Sequence, residues 1–220
     1  RYSMKKHTLF IILIIGIALA IGIWRDNHDE APIESAKLFT SIPLSVGTAL
    51  TQPHKIPDFT LTDMNGKLFN NDSIKARWSF LFFGYSNCPN ICPSTLGAIR
   101  QISQRLGISS HIQFVFISID PEHDTPAQLK NYLQQEQFAG APIVGVTGDR
   151  ESINTLAKTI GIHISSDQNK EITADHIEHG GALLLTNPEG KLAAIFTSTD
   201  KPSAIARDFK ELAHHYANSV

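Results

Sequence analysis

The chain has 220 residues, of which 42% are apolar and 18% charged, with a formal net charge of -2. That composition suits one domain with a real hydrophobic core, and the slightly negative net charge gives no argument for nucleic acid as a partner. Two cysteines are too few for a disulfide scaffold, so they need a local explanation.

In chain order, Lys5 and Lys6 precede an apolar run from Leu9 to Trp24. This reads as a membrane anchor over residues 1–24, with the basic flank inside and everything after Arg25 outside the cytoplasm. The alternative is a signal peptide cleaved after Ala20, in the small-residue stretch Ala18-Leu19-Ala20. Either reading exports the rest of the chain. Residues 25–54 carry Pro32, Pro43 and Pro53 without a clear period and are expected to be a linker, leaving residues 55–220 as the domain.

Within that domain, Phe59–Thr62 and Lys67–Phe69 flank an Asn65-Gly66 turn and predict a hairpin. Continuous apolar runs at Ser79–Phe83, Ile112–Ile119 and Ile143–Val146 predict strands buried on both faces. Between and after them, helical stripes fall on Leu96/Ile99/Ile102/Leu106, on Leu129/Tyr132/Leu133 behind Pro126, and on Ile153/Leu156/Ala157/Ile160 ending at Gly161. Ala182–Thr186 and Leu192–Phe196, joined through Asn187-Pro188-Glu189-Gly190, predict an antiparallel hairpin. A closing helix carries Ile205, Phe209, Leu212, Ala213 and Tyr216. The predicted class is α/β: a mixed, thioredoxin-like sheet flanked by helices.

Cys88 and Cys92 lie where the Ser79–Phe83 strand gives way to a helix, a place where open α/β sheets put their sites. A helix N-terminus favours the thiolate, which is both the nucleophile and the metal ligand. The spacing is C-x-x-x-C. If the helix begins near Cys88, both sulfurs project from one face, where they can share a metal or close into a disulfide. The motif alone does not choose between these. Two thiolates suit Cu(I), and imidazole is the usual complement. Of ten histidines, His176 and His179 stand out, on a polar loop ending in Gly180-Gly181 just before a strand.

The stretch Phe83-Gly84-Tyr85-Ser86-Asn87-Cys88-Pro89-Asn90-Ile91-Cys92-Pro93 resembles the copper motif of the Sco/SenC family, synthesis-of-cytochrome-c-oxidase proteins. Ile117–Pro126, Pro57–Thr62 with Gly66, and Thr147-Gly148-Asp149 resemble further signatures of that family, so the likeness runs from about Ile56 to Phe196. The resemblance implies a thioredoxin fold that binds copper through Cys88, Cys92 and one histidine. The family's histidine precedes its Pro-x-Gly turn by about nine residues, and His179 precedes Pro188 by nine. His179 is therefore the expected ligand, with Glu178 where the family has aspartate, and His176 in the Asp175-His176 pair is the alternative. Asp120 and Asp124 match the family and are read as loop-shaping.

The implied role is a metallochaperone for the dinuclear copper centre of cytochrome c oxidase. The alternatives are thiol–disulfide exchange on target cysteines, or redox or copper sensing. The implied partners are the copper-bearing oxidase subunit, a thioredoxin-like reductase and a second copper chaperone. The implied location is a membrane-anchored domain facing the periplasm or the intermembrane space.

Overall fold

The computed structural model describes residues 44–107, 111–135, 138, 140–162, 164 and 181–218, and all of them belong to one compact unit. The proposed anchor, and the linker as far as residue 43, lie outside them. Among the described residues no helix is long and apolar enough to cross a membrane.

The elements are β1 (Thr48–Lys55), β2 (Thr60–Asp63), β3 (Leu68–Asn70), a 3-10 turn (Asn71–Ile74), β4 (Trp78–Gly84), α1 (Ile91–Leu106), β5 (Ile112–Ser118), α2 (Pro126–Leu133), β6 (Ile143–Thr147), α3 (Arg150–Thr159), β7 (Leu183–Thr186), β8 (Lys191–Phe196) and α4 (Pro202–Ala217). They build one mixed sheet in the order β1-β8-β7-β4-β5-β6-β2-β3. Strands β4, β5 and β6 are parallel, while β7 runs antiparallel to β4 and β8 antiparallel to β7. Each strand and helix predicted within the domain is present.

β4 is buried along its whole length, as a central strand covered on both faces must be. Its register with β5 sets Phe80 beside Phe114 and Phe82 beside Phe116. The first pair stacks at 5.0 Å and the second meets edge-on at 5.6 Å. Phe80 also meets Phe209 of α4 at 5.4 Å, and Phe116 meets Tyr132 of α2 at 6.0 Å, so one aromatic layer seats two helices. Side-chain caps start two helices: Thr125 accepts from the Gln128 N–H, and Asp149 from the Ser152 N–H.

Strand β1 departs from the sequence reading, which put residues 25–54 in a linker. Thr48–Lys55 pairs with β8 at the sheet edge. Its side chains are mostly exposed and Pro53 interrupts it, so neither burial nor alternation signals a strand. Tertiary contacts hold it. The buried Asp208 carboxylate of α4 accepts from the Ser45 N–H (2.9 Å), the Ser45 hydroxyl (2.6 Å), the Val46 N–H (2.8 Å) and the Gly47 N–H (3.0 Å). Gly47 itself lies against Phe196, where a β-carbon would come within 2.4 Å of the ring.

Burial alone would raise the Asp208 carboxyl, but the Ser45 side chain and the three backbone donors outweigh it and hold it below its ordinary value. A depressed folded-state value contributes stability above the ordinary carboxylate pKa of about 4, and that contribution is lost as pH falls through the folded value. Asp208→Ala is therefore expected to cost about 2 kcal/mol at pH 7, the order of what hydrogen bonds to a charged acceptor are worth. In urea denaturation the gap from the wild type should narrow steadily below pH 4.

Candidate metal and thiol site

Helix α1 begins at Ile91, three residues after Cys88, so the two cysteines do not form an i, i+4 pair on one helix. The expected shared helical face is replaced by a turn. The Cys88 N–H donates to the Tyr85 carbonyl at 3.2 Å, which folds the loop back on the end of β4. The Cys92 N–H, in the first turn of α1, then donates to Cys88 Sγ at 3.3 Å. Asn90 occupies the N-cap position but makes no side-chain capping bond. A sulfur thus accepts the backbone donor that a serine or aspartate normally would. That N–H sits at the positive end of the helix.

Both thiols are free, and both are buried, at 5% and 2% exposure for Cys88 and Cys92. Gly84, the last residue of β4, makes room for them. A β-carbon there would stand 2.8 Å from Cys92 Sγ and 3.0 Å from the Phe116 ring. Burial pushes the Cys92 thiol well above its ordinary range, and the hydrogen bond with Cys88 adds to the effect. The Tyr85 hydroxyl is pushed up to about 12, first by burial, then by the charges of Cys88 and Cys92 and by a hydrogen bond with Cys88.

Asp124 secures the loop ahead of the cysteines. Its fully buried carboxylate accepts from the Ser86 N–H at 3.1 Å, from the Ser86 hydroxyl, and from the Ser118 hydroxyl at 2.7 Å. Its own N–H donates to the Asp120 carbonyl at 2.9 Å. The expected loop-shaping role of Asp124 is therefore visible as hydrogen bonds. Asp120 pairs instead with the exposed His123, whose Nδ1 lies 2.9 Å away, and this contact raises the imidazole pKa. Beside them, the Arg150 Nε–H donates to Glu122 at 2.7 Å.

His176 and His179 lie outside the described residues. Among the described residues no third histidine, cysteine, aspartate or glutamate joins the two thiols as a metal-binding group. The point where the histidine loop rejoins the sheet is described. Gly181, two residues after His179, has φ +113°, and its α-carbon lies so close to α1 that a β-carbon would meet Thr95 Oγ1 at 3.2 Å and Ile91 Cγ2 at 3.6 Å. Both belong to the first turns of the helix that carries Cys92. Antiparallel pairing of β7 with β4 explains the approach, since it sets the entrance of β7 beside the exit of β4.

Two contributors carried no recognised role in the sequence: Gly84 and Ser86. Gly84 is the one with a sequence signal, a glycine ending a buried strand directly before the cysteine loop. The partner of Ser86 lies more than thirty residues away and has none.

A mixed sheet flanked by helices, with a buried dithiol at the end of a central strand, defines a thioredoxin-like domain. A family model described as SCO1/SenC matches residues 47–214, and the chain belongs to that family. The mitochondrial protein SCO2 of Saccharomyces cerevisiae is 33% identical over 211 residues, covering 94% of this chain and 66% of its own. The SCO2-like protein of Rickettsia felis is 30% identical over 214 residues, covering 94% of this chain and 98% of its own. The copper-bound structure of Bradyrhizobium japonicum ScoI is 28% identical, with a TM-score of 0.59 over 72% of this chain and 99% of that one.

Gly84→Ala should force Cys92 Sγ or the Phe116 ring to move, a strain of about 1–3 kcal/mol. Thermal melts are expected to show the loss. Thiol labelling should show Cys92 more reactive than in the wild type, because the displaced sulfur is less buried.

Proposed function

We propose that this domain is a copper-handling chaperone that takes its metal on the Cys88 and Cys92 sulfurs with His179 as third ligand. Its destination is the dinuclear copper centre of cytochrome c oxidase. The observation that carries the reading is the adjacency of two free, buried thiols with a helix N–H directed at one of them. The donor set fits the cargo: two sulfurs and an imidazole make a soft site that suits Cu(I). The copper-bound ScoI relative supports the same choice.

The close approach of Gly181 to Ile91 and Thr95 favours His179 over His176. His179 is two positions before that anchored point, whereas His176 is three positions further from it. A ligand next to a fixed backbone loses less conformational entropy on binding. The protein's own contribution is to keep the sulfurs dry, to hold them together before the metal arrives, and to release protons on loading.

A second reading has its own support. The dithiol is close enough for one sulfur to accept the other residue's N–H, as thiol–disulfide exchange on the target's cysteines requires. In either case the partners are the copper-bearing oxidase subunit, a thioredoxin-like reductase that keeps the pair reduced, and a second copper chaperone upstream. An N-terminal anchor would hold the domain on the outer face of the membrane.

Copper titration of the reduced protein tests the assignment. His179→Ala should weaken binding by at least about tenfold, the lower end of what even a ligand's supporting contacts are worth. It should also change the thiolate-to-copper absorption, while His176→Ala leaves both near wild type. The reverse ranking would move the site to His176, and two small effects would favour pure thiol exchange. The oxidised protein should bind copper far more weakly than the reduced one.

The raised Cys92 thiol gives this site a pH dependence. A thiol with an elevated pKa is protonated at neutral pH and must release its proton to bind metal. Apparent copper affinity should therefore climb with pH across the neutral range, by about tenfold per pH unit for each proton released. An affinity flat from pH 6 to 8 would contradict a protonated Cys92 in the metal-free protein.

A further inference from the structure

Both thiols are buried, so anything that reaches them needs the cysteine loop to give way. The turn between β5 and α2 holds that loop through the bond from the Ser86 N–H to Asp124. Within the turn, the Asp120 carbonyl accepts from the Asp124 N–H at 2.9 Å and from the His123 N–H at 3.1 Å. The side chains close the same turn a second time. The two oxygens of the Asp120 carboxylate lie 3.0 and 2.9 Å from His123 Nδ1. An ionised carboxylate only accepts, so that nitrogen carries a proton. The Asp120 side chain is 12% exposed, and a carboxylate so nearly buried is costly without a charged or donating partner. Arg150 of α3 stands further off: its Nη2 is 3.9 Å from Asp120, and both Nε and Nη2 are engaged by Glu122. His123, with its side chain 70% exposed, is the partner whose charge can change.

We propose that His123 and Asp120 form a pH-dependent latch on the turn that presents Asp124 to the cysteine loop, tight when the imidazole is charged and looser when it is neutral. The neutral ring keeps its Nδ1–H and the contact, but a hydrogen bond with charged partners is roughly twice as strong as a neutral one. Two further charges of the same turn, Glu122 and Asp124, favour the protonated ring. On α3, Arg150 is the facing cation, and Glu122 offsets its charge. The raised imidazole pKa, caused first by the hydrogen bond with Asp120 and then by its charge, agrees with that balance. A raised folded-state value gives a contribution that is complete below the ordinary histidine pKa of about 6.5, and that is lost as pH rises through the folded value. The cysteine loop is then held more closely in mildly acidic surroundings than in mildly alkaline ones, and access to the dithiol follows the pH of the compartment. The latch contains neither sulfur nor proposed metal ligand, so it stands whether or not the domain carries copper.

His123→Gln keeps a side-chain donor and removes the titratable charge. Amide exchange of the reduced, full-length protein, followed by NMR and corrected for the intrinsic effect of pH, reads the latch. At pH 6 the Ser86 and Asp124 amides should exchange about twofold faster in the variant than in the wild type, the scale of an exposed ion pair. At pH 8 the two proteins should agree. The same ratio at both pH values would make His123 a pH-independent contact and overturn the latch, as would no difference at either. The His123 ring itself should titrate above about 6.5 and fall back toward that value in Asp120→Asn; a wild-type midpoint at or below it would also overturn the proposal. A third check needs no variant. In the wild type, exchange at Ser86 and Asp124 relative to Phe82 of β4 should quicken between pH 6 and pH 8, and a constant ratio would count against the latch even if both variants failed to fold.

Discussion

The Asp124 carboxylate stands at the junction of everything the site needs. It is fully buried, and it answers its own desolvation with the Ser86 backbone and hydroxyl on one side and the Ser118 hydroxyl on the other. A buried charge is tolerated only when its lone pairs are filled, so these contacts are obligatory rather than incidental. Through them the loop before Cys88 is tied to the end of β5 and to the turn that launches α2. Remove that tie and the cysteine turn loses its fixed address.

Around this junction the site is assembled from backbone as much as from side chains. A glycine at the end of β4 admits the Cys92 sulfur, and an N–H in the first turn of α1 is directed at Cys88. A second glycine, Gly181 at the mouth of β7, lies against the first turns of the same helix. Each close approach uses the absence of a β-carbon where a larger residue would collide. The consequence is a dry dithiol held together before any metal arrives, which lowers the reorganisation needed on binding.

Burial also sets the chemistry apart from that of an exposed redox pair. The Cys92 thiol holds its proton more tightly than usual because solvent is excluded. Its charged form must be stabilised by something other than water, such as a bound metal.

The sequence by itself determined the alternation of strands and helices from Phe59 onward, because buried strands and amphipathic helices have periods that burial imposes on the residues. It also determined the dithiol, since C-x-x-x-C at a strand-to-helix boundary is a local pattern; of the two aspartates read as loop-shaping, Asp124 holds the cysteine loop by its side chain, while the Asp120 carboxylate pairs with His123. Tertiary structure alone decided the rest. Strand β1 has no hydrophobic alternation and exists because Asp208, more than 150 residues away, binds the backbone of Ser45, Val46 and Gly47. The helix start at Ile91 made the cysteines neighbours through a turn instead of a helical face, because the loop is drawn back by Tyr85 and Ser86 toward partners on other elements. The surroundings of Tyr132 were likewise invisible in the chain: its helical stripe marked it as core, and only the packing of α2 set its ring on Phe116 of β5. Local patterns reveal what a segment buries; what it is buried against is a property of the whole fold.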